Sequence, residues 1–167
     1  MMQAILTESP ATPAARAASN TRMATTTMSA SANDSETPAR DGFHGLKVMV
    51  IDDSNTIRKS AEIFLAEAGC CVLLAEDGFD ALAKIADHGP AVIFCDILMP
   101  RLDGYQTCAL IKRNPHFAAT PVIMLSSKDG LFDRARGRLA GSDEYLTKPF
   151  TRDTLLDALA VHARRAD

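Results

Sequence analysis

Lys47-Val-Met-Val-Ile51, followed at once by Asp52-Asp53-Ser54, is the stretch on which the fold of this chain turns. It is a compact apolar run of strand length that ends abruptly in two acids. Ser54 can then cap a helix in which Ile57, Ala61, Phe64, Leu65 and Ala68 recur at helical spacing, and Gly69 stops that helix. A strand with no polar alternation is what burial on both faces produces, and a parallel sheet covered by helices provides that burial.

The same alternation continues downstream. Cys71 to Ala75 reads as a second strand, and Gly78 to Ala86 as a helix with Ala81, Leu82 and Ile85 facing inward. Ala91 to Cys95 is a third, fully apolar strand, followed by a loop through Pro100 and a helix from about Gly104 to Lys112. Pro121 to Leu125 is the fourth strand, Asp129 to Leu139 the fourth helix, and Glu144 to Thr147 a short fifth strand. Thr151 caps a last helix carrying Leu155, Leu156, Leu159 and a half-buried His162. Five strands alternating with five helices predict an α/β fold: a doubly wound, five-stranded parallel sheet with helices on both sides.

Upstream the character is different. Residues 1–43 are rich in Ala, Ser, Thr and Met, are interrupted by Pro10, Pro13 and Pro38, and hold no lasting periodicity. Such a segment buries too little apolar surface to offset the entropy of ordering it, so a disordered extension is expected, with the folded domain over 44–167. The chain has 167 residues, 47% hydrophobic and 23% charged, with a net charge of −3. That balance suits one soluble core and does not suit a nucleic-acid binder, whose domains carry a basic footprint. No run approaches the ~18 to 20 apolar residues of a membrane span. No convincing signal peptide opens the chain, so a cytoplasmic protein is expected. Cys70, Cys71, Cys95 and Cys108 lack metal-ligand spacing and read as small hydrophobes in a reducing compartment.

In doubly wound sheets the functional site lies beyond the carboxyl ends of the strands, where the strand order reverses. In this chain the first strand ends in Asp52-Asp53, the third in Asp96, the fourth in Ser126-Ser127, and the fifth runs into Lys148-Pro149. Taken singly, the acids are ordinary helix caps or turn formers and Lys148-Pro149 an ordinary solvated turn. Together they put every strong polar residue of the central strands on one rim. Converging carboxylates repel one another, and a divalent cation relieves this. A donor set of oxygens alone favours Mg²⁺ over Zn²⁺, and Mg²⁺ takes phosphate oxygens as partners. A carboxylate can serve as nucleophile in such chemistry, with Lys148 as a fixed positive charge and Ser126 as a hydroxyl donor.

The segments Val50-Ile-Asp-Asp-Ser54, Phe94-Cys-Asp-Ile-Leu-Met-Pro100 with Leu102-Asp-Gly104, Val122-Ile-Met-Leu-Ser-Ser127 and Tyr145-Leu-Thr-Lys-Pro-Phe150 closely resemble the receiver domains of bacterial two-component response regulators, the CheY-like superfamily with its flavodoxin-like fold. The resemblance spans about residues 46 to 165. It implies that Asp96 is the phosphoacceptor, that Asp52, Asp53 and Asp96 hold Mg²⁺ with the backbone carbonyl of Leu98, and that Lys148 binds the phosphoryl group. Ser126 and Tyr145 would be the switch pair, and Pro149 would carry a cis peptide bond. Ser126 stands where threonine is common, and Leu98, like Lys128, occupies a position that influences phosphate lifetime in the family.

Ser126 to Arg138 is further similar to single-domain regulators of twitching motility, the PilG type. That implies a CheA-like histidine kinase or its phosphotransfer domain as donor and a pilus-motility effector as receiver, read through the fourth helix, fifth strand and fifth helix. Arg134, Arg136 and Arg138 on the fourth helix read either as a solvated face or as a docking surface. No helix-turn-helix pattern follows the fifth helix, so direct transcriptional control is not expected. The protein would not be an enzyme in the ordinary sense but would catalyse its own phosphotransfer and dephosphorylation. Two alternatives compete: a phosphorylation-independent binding module on the same fold, and an aspartate-nucleophile phosphatase. The phosphatase expects a second acid at the position of Leu98.

Overall fold

The sheet is built from five short strands whose side chains alternate between two apolar layers. The computed structural model of the protein describes residues 40–127 and 130–164. The extension expected over residues 1–43 lies almost wholly outside them, as do Lys128 and Asp129. A 3₁₀ turn, Arg40–Phe43, leads into β1 (Lys47–Ile51), α1 (Asn55–Glu67), β2 (Cys71–Ala75), α2 (Gly78–His88) and β3 (Val92–Asp96). Then follow α3 (Gly104–Arg113), β4 (Val122–Ser126), α4 (Leu131–Ala140), β5 (Glu144–Thr147) and α5 (Arg152–Ala163). The five strands form one sheet in the order β2-β1-β3-β4-β5, and every neighbouring pair is parallel.

The central strands are apolar on both faces because both faces are covered. Val48, Val50, Phe94, Ile123 and Leu125 pack against Ala61 and Leu65 of α1 and Leu155 and Leu159 of α5. The residues between them, Met49, Ile51, Ile93, Cys95 and Met124, pack against Ala81 and Ile85 of α2 and Cys108 and Ile111 of α3. Period-two alternation therefore exists, but it separates two hydrophobic layers instead of a wet face from a dry one.

Strand boundaries shift slightly from the sequence expectation. β3 takes in Asp96 and β4 takes in Ser126, so both are the last residues of strands. Ser54, Asp77, Asp103 and Thr151 each accept a backbone N–H at the start of α1, α2, α3 and α5. α4 begins at Leu131, behind Gly130 at the cap position, and has no side-chain cap. His162 departs from its expected half-burial. It is 3% exposed, its Nε2 lies 2.5 Å from Glu144 Oε2, and its Nδ1 has no hydrogen-bond partner. Three of the cysteines are buried, Cys71 is exposed, and all four are free thiols. Among the described residues, no helix is long and apolar enough to cross a membrane.

Candidate functional site

The strand order reverses between β1 and β3, and the register there sets the chemistry. Ile51 stands opposite Cys95, so the next residues of the two strands, Asp52 and Asp96, emerge side by side at the carboxyl edge. On the other side Asp96 pairs with Leu125 and Ser126 with Thr147, which brings Lys148 to the same edge. Asp52, Asp53, Asp96, Leu98 and Lys148 line an open crevice of about 520 Å³. Ser127 also lines it, whereas Ser126 is buried within the strand end.

Asp52 is fully buried and held on three sides. Its Oδ1 accepts the Ser54 N–H at 2.8 Å and its Oδ2 accepts from Lys148 Nζ at 2.6 Å. Its backbone carbonyl accepts from Arg58 of α1 at 2.6 Å, a contact that the spacing of the sequence did not suggest. Lys148 Nζ also donates to Asp96 Oδ1 at 2.9 Å. Asp53 is exposed beside them.

Ligand oxygens of Asp52, Asp53 and Asp96 all lie within 4.8 Å of one another. Burial pushes the Asp96 carboxyl above its usual range, Lys148 pulls it down, and Asp52 raises it further. For Lys148, burial alone favours the neutral amine, but the hydrogen bonds to Asp52 and Asp96 outweigh it and hold the ammonium above the usual lysine range. Three carboxylates against one ammonium leave an excess of negative charge at a rim open to solvent. Oxygen donors with this charge fit a hard divalent cation such as Mg²⁺.

The loop between β3 and α3 is fixed tightly to the acid. A Cβ on Gly104 would lie 2.1 Å from the Asp96 carbonyl oxygen, so only glycine permits the approach. The Gly104 N–H closes the loop on the Ile97 carbonyl at 2.8 Å. The Lys148-Pro149 bond is cis, as the resemblance implied. Tyr145 is half-buried on β5, and the Arg134 guanidinium lies 5.4 Å from its ring centre. Arg136 lies 4.5 Å from the ring centre of Tyr105 on α3. Two of the three α4 arginines therefore cover tyrosine rings, a use that a charge run does not reveal.

A doubly wound sheet of this order, with three acids and a lysine at its switch point, defines the receiver class of signalling proteins. Residues 48–160 match the response regulator receiver domain family, and the chain belongs to it. Within that family it is closely related to Protein PilG of Pseudomonas aeruginosa, being 70% identical over 118 residues that cover 71% of this chain and 87% of that protein. Response regulator MprA of Mycobacterium avium is 35% identical over 120 residues, covering 72% of this chain; the chain spans about half of that relative, 52% of its length. Among solved structures, chemotaxis protein CheY4 of Vibrio cholerae superposes with a TM-score of 0.69 at 32% identity, covering 71% of this chain and 98% of that one. The receiver domain of the Francisella response regulator 1452 gives 0.68 at 34% identity, covering 74% and 100%.

Proposed function

We propose that the chain carries signal as a phosphoryl group on Asp96. The observation that carries this reading is Lys148 bonded to both Asp52 and Asp96 beside Asp53 at the switch point of the sheet. Asp96 Oδ attacks the phosphorus of a phosphohistidine; the new O–P bond forms as the P–N bond breaks, and the imidazole leaves. Lys148 then exchanges its contact with the Asp96 carboxylate for one with a phosphoryl oxygen, so its charge is in place before the reaction starts. Asp52, Asp53, Asp96 and the Leu98 carbonyl would hold Mg²⁺, which when bound neutralises charge on the transferring group.

The phosphoryl group gives Lys148 and the Ser126 hydroxyl an anionic partner that exists only in the modified state. Movement of Ser126 towards it opens room for Tyr145 to turn inward, and Arg134, which covers that ring, shifts with it. The two-state element so biased is the face made by α4, β5 and α5. The relation to PilG and the likeness of residues 126 to 138 to twitching-motility regulators support a place in type IV pilus chemosensory signalling. The donor is then a CheA-like histidine kinase or its phosphotransfer domain, and the receiver of the signal is a pilus-motility effector. The reacting carboxylate belongs to the chain itself.

Intact-protein mass after incubation with acetyl phosphate and Mg²⁺ tests the proposal. A gain of one phosphoryl group that needs Mg²⁺ and is lost in Asp96→Ala is expected. A folded wild type that gains no mass, with a matched kinase equally ineffective, makes a phosphorylation-independent binding module the better reading.

A further inference from the structure

Arg101, outside the acid cluster, adopts a backbone conformation that side chains avoid. It is the one non-glycine residue with positive φ among the described residues, at 69°. It sits at the centre of a three-residue turn closed by the Leu102 N–H on the Pro100 carbonyl at 2.8 Å, and turns of this kind with positive φ are rare and strained. Glycine would adopt the same turn without that strain, so the arginine side chain must account for its own presence.

That side chain reaches across to the β2–α2 turn. Arg101 Nη2 donates to Asp77 Oδ2, while Asp77 Oδ1 accepts the Asp80 N–H and so caps α2. The guanidinium lies 5.6 Å from the ring centre of Phe79, the second residue of α2. The strained turn is thus tied by its side chain to the rigid start of a neighbouring helix. The other end of the loop is tied by Gly104 against the backbone of Asp96. Leu98 lies between Arg101 and the Asp96-Ile97 backbone against which Gly104 packs.

We propose that Arg101 is a positioning residue: by clamping the β3–α3 loop to Asp77 and Phe79 it holds the Leu98 carbonyl in place for Mg²⁺. This rests on the reading of Asp52, Asp53, Asp96 and Leu98 as the metal site. Partners hydrogen-bonded directly to a metal's ligands typically change its affinity by about 10–100-fold when removed, and Arg101 acts at one remove further, through the loop backbone. The lower figure suits a clamp whose side chain is 65% exposed.

Direct electrostatics makes the opposite prediction for the arginine, which gives a test. Loss of a positive charge near an acidic site should tighten Mg²⁺ binding, whereas loss of the clamp should weaken it. Mg²⁺ alone is titrated into the full chain while the backbone amide signals of Asp53, Ile97 and Leu98 are followed by NMR, and melting temperature is measured in parallel. Arg101→Gln and Arg101→Gly should both weaken Mg²⁺ on the order of tenfold. Arg101→Gly should do so with an unchanged or higher melting temperature, because glycine relieves the turn. Arg101→Lys, which keeps a cation for Asp77, should recover most of the affinity. Equal or tighter Mg²⁺ binding by Arg101→Gln and Arg101→Gly, in a protein whose wild type binds the ion, overturns the clamp and leaves the site standing. A wild type whose amides do not respond to Mg²⁺ overturns both.

Discussion

At the scale of single residues, the site depends on contacts that allow no spare atoms. Gly104 begins α3 with its Cα against the carbonyl of the acid that the chemistry uses, and the nearest neighbours of an added Cβ are backbone atoms of Asp96 and Ile97. Backbone cannot rotate away as a side-chain end can. Gly104→Ala should therefore destabilise the domain by about 1–3 kcal/mol, the usual cost of overpacking. It should also slow phosphorylation by acetyl phosphate, since the displaced atoms are those of the acceptor. Chemical denaturation and intact mass measure the two effects, and an alanine variant with wild-type values for both would show that the loop yields freely. Asp52 shows the same economy in another form: both carboxylate oxygens and its carbonyl are bonded before any cation or phosphate arrives.

At the scale of elements, caps and exposed faces decide which parts are rigid. Asp77 caps α2, and its carboxyl lies below the usual carboxylate range chiefly through the Asp80 N–H, with Arg101 adding to the effect. A depressed pKa means that its stabilisation is complete above the unfolded value, about 3.9, and is lost as pH falls through the lower folded value. Asn caps nearly as well but carries no charge. Asp77→Asn should thus melt below wild type at pH 7, by the ~0.3–1 kcal/mol of a charge at a helix start, and the gap should close as pH falls below about 4. A gap that does not narrow at all as pH falls below about 4 would assign the loss to geometry. α4 is held least. It has no side-chain cap, its only buried residue is Gly137, and Leu131, Phe132 and Leu139 are 86%, 87% and 89% exposed. Its amides should exchange with solvent at least about tenfold faster than those of α3 and α5, and hydrogen exchange measures this. Equal protection would argue against α4 as the element that moves.

The strands were legible in the sequence because burial on both faces writes itself as an unbroken apolar run. All five strands lie within one residue of where those runs predicted them. The site was legible for the same reason: in a parallel sheet, polar residues that end separate apolar runs must meet at one edge. What escaped were the contacts that long side chains make off their own element's pattern. Arg58 on the Asp52 carbonyl, Arg136 on Tyr105 and Arg101 on Asp77 each join residues whose spacing carries no period. Helical spacing alone places His162 between edge and core positions and predicts half-burial, whereas it is buried. Its Glu144 partner lies on another element. The sequence assigns the hydroxyl position to Ser126 and gives no role to Ser127, which lines the crevice beside it.

At the scale of the whole molecule, the two apolar layers enclose the sheet but stop at its carboxyl edge, and the edge carries an electrostatic load that the layers do not relieve. Three acids with ligand oxygens within 4.8 Å share one lysine, so in the absence of a cation the folded state holds like charges that the unfolded chain can separate. A cation that binds only the folded state stabilises it by RT ln(1 + [L]/Kd), about 1.4 kcal/mol at ten times Kd. For a chain of this size that amounts to roughly 3–6 °C in Tm. Wild type should accordingly melt higher in MgCl₂ than in EDTA. Asp53→Asn removes one of the repelling charges from the exposed side of the cluster, so it should raise the metal-free Tm while erasing most of the response to Mg²⁺. Calorimetry with and without Mg²⁺ checks both halves. A wild type indifferent to Mg²⁺ would remove the cation from this account, and an Asp53→Asn variant no more stable than wild type in EDTA would mean that solvent already screens the repulsion at this edge.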